Sequence, residues 1–197
     1  MGTMFIIDSL HMTFFYGNVM NIPQLVRTGG LDDILLKPVN SRILISMKQI
    51  SLSSMINLIF GICLVIYSYM NLNITIRVSN VILYLILVIN GVMIMYSILF
   101  MATTLSIFFG KTEELIMALF DIFQFGMKPE GIYKGVFKKV ITYIIPLLVI
   151  ANFPTIAVIG RLSMIHIVWG MIVTILLLVF SNILWNISLK KYCSATS

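Results

Sequence analysis

Three stretches of this chain run without a single charged residue for long enough to cross a lipid bilayer: residues 52–71, 79–109 and 164–189. At about 1.5 Å of rise per residue, roughly 20 helical residues match a hydrocarbon core of about 30 Å, and the longest run can tilt or extend past the interface. In hydrocarbon every backbone N–H and C=O must be paired within the chain, which leaves helices or closed barrels. These runs are too long and continuous for barrel strands. Composition agrees, since only 10% of the 197 residues are charged, whereas a water-facing surface needs about 25%. The expected fold is all-α, a polytopic transmembrane bundle of about five spans forming a single domain.

Two further spans are less regular. Residues 140–160 are apolar but contain Pro146, Asn152 and Pro154; each proline removes a backbone donor and crowds the preceding turn, so a span followed by a broken or re-entrant helix is expected. Residues 4–22 are interrupted by Asp8, His11 and Asn18 and followed by Pro23. They read as a span or as an interfacial helix, with Asp8 tolerable near the interface or inside the bundle. Met1 is followed by Asp8 and His11 rather than by a basic start and a clean apolar core, so no signal peptide is visible.

The net charge of +6 is a question of topology. Arg27, Lys37, Arg42 and Lys48 lie in loop 23–48, Lys111, Lys128, Lys134, Lys138 and Lys139 in loop 111–139, and Lys190 and Lys191 after the last span. Only Arg77 and Arg161 fall in the intervening connections. Basic residues collect in short cytoplasmic loops, so these regions and the C-terminus are expected in the cytoplasm. An odd number of spans then leaves the N-terminus outside. The basic excess calls for no nucleic acid; the run 134–139 could meet anionic lipid headgroups, or simply hold topology.

The first loop reads Gly29-Gly30-Leu31-Asp32-Asp33-Ile34-Leu35-Leu36-Lys37-Pro38-Val39-Asn40-Ser41-Arg42. Leu31, Ile34 and Leu35 share a face, Asp33 can pair with Lys37, Pro38 stops the helix near Leu36, and the acidic residues suit the helix dipole. Asn40 or Ser41 can cap the following helix, which carries Arg42 and Lys48 through the interface and into the bilayer. From periodicity alone this is an amphipathic helix lying on the membrane. In the second loop, Thr112, Glu113 and Glu114 look like a helix start, and Leu115, Leu119, Ile122 and Phe123 form an apolar stripe suited to the inner leaflet.

The string from Gly29 to Arg42 resembles the loop of one subfamily of bacterial type-2 ABC exporter permeases: Gly, Leu, Asp, two apolar residues, Leu, Arg or Lys, Pro. Lys128-Pro129-Glu130-Gly131-Ile132-Tyr133, Tyr143-Ile144-Ile145-Pro146 and Phe153-Pro154 are similar to that family's second loop and proline-containing fifth span. Lys191-Tyr192-Cys193-Ser194-Ala195 resembles its usual ending. The likeness covers almost the whole chain and starts around the family's second span, so the first of six spans is expected to be missing. It implies a permease subunit of an ATP-driven exporter in the bacterial cytoplasmic membrane, with an ABC ATPase and a second permease as partners, in a homo- or heterodimer. It further implies that residues 31–36 are a coupling helix docking on the ATPase, with Leu31, Asp32, Leu35 and Lys37 as contact candidates.

No enzymatic chemistry is expected. Gly110-Lys111-Thr112 is like the end of a phosphate-binding loop, but Leu105 stands where the required glycine belongs and the segment ends a span rather than following a strand. His11 and His166 have no metal-ligand spacing, and His166 beside Trp169 suits an interfacial anchor. Cys63 and Cys193 lie far apart in the chain. No cofactor, metal or catalytic residue is assigned. Asn57, Asn90, Asn152 and Asn182 lie within spans, where interhelical hydrogen bonds explain them, although any could line a substrate path. Alternatives are a lipid-modifying membrane enzyme, which would need acidic or histidine residues clustered at one depth, and a non-transporting immunity or scaffold protein.

Overall fold

The structure, a computed structural model, describes residues 1–71, 77–110, 113–125 and 146–196. Lys111, Thr112, Lys128, Lys134, Lys138, Lys139, the motif 128–133 and residues 140–145 of the expected fourth span lie outside the described residues. Everything assigned to secondary structure among the described residues is helical, as the hydropathy requires.

The chain enters through α1 (Gly2–His11), a π-helical turn (Met12–Tyr16), α2 (Gly17–Met20) and α3 (Ile22–Thr28), which Gly29 ends in the left-handed conformation at φ 74°. That conformation costs a side chain-bearing residue more than it costs glycine, which makes Gly29 a natural helix terminator. Short α4 (Asp32–Leu35) and α5 (Ser41–Ser46) follow, then the long α6 (Ser53–Asn71) and α7 (Val78–Thr104), with α8 (Ser106–Phe109) extending α7. Beyond them are α9 (Glu113–Phe125), α10 (Leu147–Val158) and α11 (Met164–Thr196). Among the described residues three helical stretches are long and apolar enough to cross a membrane: Ser53–Asn71, Val78–Phe109 and Met164–Tyr192.

Close contacts fix the directions. A side chain at Gly2 would meet Val65, and one at Gly61 would meet Ile6 at 3.1 Å, so α1 and α6 pack antiparallel with glycine at each crossing. Small residues let helix backbones approach where lipid supplies no hydrophobic drive for association. Tyr84 of α7 donates to Thr3 at 3.4 Å, and the Phe15 and Tyr96 rings lie 4.7 Å apart, so α7 runs parallel to the N-terminal helices. Asn90 and Phe100 of α7 meet Thr174 and Trp185 of α11 in the same order, so α11 is parallel too. Arg27, Lys37, Lys48 and Lys190 consequently reach one end of the bundle, and Arg77 and Arg161 the other.

The core lies between α1, α7 and α10, where Ile7, Leu87, Ile94, Leu99 and Ile150 are fully buried. The interrupted N-terminal segment thus threads the bundle: Met4, His11, Val19 and Ile22 are all buried. Pro154 sits inside α10 without ending it, and at 12 residues that helix covers about 18 Å, less than a full crossing. Apart from the face that packs on α1 at Gly61, Leu58 and Val65, α6 leaves most of its side chains exposed, as expected of a helix whose solvent is lipid or a protein neighbour.

Candidate functional site

At the basic end, α4 stands on apolar roots. Leu31 is 0% exposed and Ile34 is buried, and Leu31 N–H bonds the Leu25 carbonyl at 3.3 Å. Asp32, Asp33 and Lys37 are exposed, Leu35 is half-buried, and Leu36 is 84% exposed. Of the four contact candidates, Asp32 and Lys37 lie on the outer surface, Leu35 at its edge, and Leu31 inside the chain's own core. The residue the sequence argument missed is Leu36, whose exposed apolar side chain departs from the three-and-four spacing of the buried face. Lys37 falls beyond the helix end at Leu35, so the helical partnership expected with Asp33 has no helix to carry it.

The turn after α4 is set by Asn40, whose Oδ1 accepts from the N–H groups of Arg42 at 3.0 Å and Ile43 at 3.5 Å. It therefore caps α5 and satisfies donors that a helix start leaves free. The exit from α5 is held by Asn18. Its Nδ2 donates to the carbonyls of Phe14, Ser46 and Gln49, and its Oδ1 accepts from Gln49 N–H at 2.9 Å. The Thr13 carbonyl, within the π-helical turn, accepts from Ser51 N–H at 2.9 Å, giving the passage from α5 to α6 a second tie. Asn21, Gln24, Thr28, Lys48 and Gln49 line a cleft of about 250 Å³ beside these segments.

Arg42 differs most from its expected place. Expected on a helix passing through the interface into the bilayer, it is 9% exposed and its side chain points into the bundle. Nε donates to Tyr96 Oη at 3.1 Å, and the two terminal nitrogens donate to the Leu178 carbonyl at 3.2 Å and Ser181 Oγ at 2.6 Å. The guanidinium lies 4.8 Å from the Phe100 ring centroid and 5.3 Å from that of Tyr96. Among the described residues all its hydrogen-bond acceptors are neutral; ring faces and neutral oxygens take the place of a carboxylate. Ser46 Oγ joins Tyr96 Oη at 2.7 Å, and Trp185 Nε1 donates to Ser41 Oγ at 3.2 Å. The six residues of α5 are therefore bonded at both ends to α7 and α11.

Other sequence expectations divide. Asn90 makes the anticipated interhelical bonds, accepting from Thr174 Oγ1 at 2.5 Å and approaching Met171 Sδ at 2.9 Å. Asn57 and Asn182 do not: both are exposed and have no hydrogen-bond partner among the described residues. Asn152 Nδ2 and both His11 ring nitrogens are buried without one. The stripe on α9 packs on the bundle core through Leu119, Ile122 and Phe123, with Ile116 buried and Leu115 exposed, and Phe120 lies edge-on to Tyr16 at 5.5 Å. His166 packs edge-on to Phe153 at 5.5 Å. Among the described residues no His, Cys, Asp and Glu group could hold a metal.

These features describe an integral membrane protein of the helical-bundle class, with an outward-facing loop helix at its basic end. The chain belongs to the ABC-2 family transporter proteins, whose family model matches residues 1–196. It is a membrane permease component of an ABC transporter, a type of subunit that is typically non-enzymatic and associates with an ABC ATPase. Nothing matches among the curated proteins or the solved structures.

Proposed function

We propose that the chain is the permease subunit of an ATP-driven exporter and that the segment 31–37 is its lever on the ATPase. The reading rests on one observation: α4 is anchored through Leu31 and Ile34 while presenting Asp32, Leu36 and Lys37 outward at the basic end. A short helix rooted in this way moves with the helices beneath it, and its exposed face offers both an apolar and a charged contact. Leu35 completes that face at its margin, and Leu31 acts as its root.

In this reading the end carrying Arg27, Lys37, Lys48 and Lys190 faces the bacterial cytoplasm, as does the C-terminus. The spans are 4–22, 52–71, 79–109, 140–160 and 164–189. A second permease, identical or related, lies against the exposed helices; Asn57 and Asn182 favour this, because an amide facing hydrocarbon gains from a protein partner.

The test is co-purification of the ABC ATPase with the full chain carrying Asp32→Arg and Leu36→Asp. Loss of the ATPase from an otherwise intact, monodisperse permease is expected. Undiminished binding would end the assignment.

A further inference from the structure

We propose that Arg42 is a positioning residue that couples α4–α5 mechanically to α7 and α11. The inference rests on the reading of segment 31–37 as the ATPase lever and names the route by which its motion reaches the long helices.

Arg42 is the second residue of α5 and lies seven positions after Leu35 in the chain. Its side chain reaches both α7, at Tyr96 and Phe100, and α11, at Leu178 and Ser181. The planar guanidinium donates in several fixed directions, so one side chain can hold two helices at once; a lysine ammonium lacks that fork. Its setting makes the link stiff. Should α5 shift while α7 and α11 stay, a cation would be left among Phe100, Trp185 and Tyr96 with its acceptors out of reach. An unpaired buried charge is among the costliest states available to a folded chain, so the three helices move as one body. Ser46 on Tyr96 and Trp185 on Ser41 lie on either side of the guanidinium and resist rotation about it.

What the charge gains here is attraction to the Phe100 and Tyr96 ring faces, and among the described residues no carboxylate faces it. All three acceptors are neutral, and an apolar side chain of similar volume would fill the same space without the cost of dehydrating a cation. Retaining the charge makes sense where directional hold is the requirement. Such an ionisable group inside a membrane bundle is a functional candidate by default.

The experiment uses the full chain with its co-purified ABC ATPase, in a background carrying Cys63→Ser and Cys193→Ser. Ser163→Cys, just before the far end of α11, reports maleimide labelling with and without ATP plus vanadate. Spin labels on Val39→Cys, just after the lever, and Lys190→Cys report the separation of the lever's end and the α11 end. With Arg42 present, labelling at position 163 changes on trapping while the 39–190 distance holds. Arg42→Met is expected to retain the ATPase and its hydrolysis, lose the labelling change, and allow the 39–190 distance to vary with nucleotide. A labelling change that survives undiminished in Arg42→Met overturns the proposal. If that variant does not assemble, Tyr96→Phe with Ser181→Ala removes two acceptors while leaving the cation in place; loss of the change supports the coupling, and full retention overturns it. Failure of the unmodified chain to bind the ATPase would instead overturn the lever assignment itself.

Discussion

Asn18 and Gln49 exchange two hydrogen bonds, from Asn18 Nδ2 to the Gln49 carbonyl at 2.7 Å and from Gln49 N–H to Asn18 Oδ1 at 2.9 Å. With further bonds to the carbonyls of Phe14 and Ser46, this one amide holds the turn between α5 and α6 against the N-terminal helices. Asn18→Ala strands those groups, at about 1–3 kcal/mol for a buried unsatisfied partner. Asn18→Asp is expected to be worse, because an ionised carboxylate would face carbonyls it cannot donate to. Thermal loss of the monodisperse peak in detergent should rank the native chain above the alanine variant and the aspartate variant lowest. Equal midpoints for all three would refute the clamp.

Leu31 and Leu36 separate anchoring from contact. Leu31→Ala empties a fully buried site and should lower stability by about 2–5 kcal/mol, the usual cost of a core leucine truncation. Leu36→Ala removes an exposed side chain and should leave the melting midpoint unchanged while weakening ATPase co-purification. If Leu36→Ala destabilises the permease as strongly as Leu31→Ala, the two roles are not distinct.

Gly91 sets how closely α7 and α10 approach. A Cβ there would lie 2.8 Å from the Ile150 carbonyl oxygen, a backbone atom that cannot swing aside, whereas one at Gly17 meets nothing within 4 Å. Gly91→Ala should therefore cost about 1–3 kcal/mol through forced separation of the helices. Gly17→Ala should be neutral or slightly stabilising by its better helix propensity. Melting midpoints measured side by side check the contrast.

Asn90 and Thr174 tie α7 to α11 further from the basic end than Arg42 does. Thr174→Val keeps the shape and removes the hydroxyl, with an expected loss of about 1 kcal/mol, in the range measured for hydrogen bonds between membrane helices. A double-mutant cycle with Asn90→Ala should return a coupling energy of that order. Strict additivity would show that the bond carries no net stability.

The clarity of the helical reading varied with how local the cause was. The runs in α6, α7 and α11 were plain because transfer of apolar side chains into hydrocarbon adds up along the chain. The Asn40 cap was also legible, since it acts within three residues of itself. Arg42 was not. Read as one of eleven basic residues marking a side of the membrane, it gave no sign that Tyr96 and Ser181, 54 and 139 positions away, would converge on it. The α9 stripe was legible in Leu119, Ile122 and Phe123, and only Leu115 gave way, to the buried Ile116. Leu31 and Leu36 differ by nothing in hydropathy, and their opposite fates follow from which side of α4 faces Leu25.

Residue order and side-chain chemistry alone were enough to place this chain in a bilayer as helices, because lipid penalises unpaired backbone wherever it occurs. They also sorted its basic residues between the connections. Which polar groups in those helices stay bare and which are clasped required the folded bundle. A guanidinium inside it is stable only where separate helices bring oxygens and ring faces to the same point, and that convergence is a property of packing that no single segment contains.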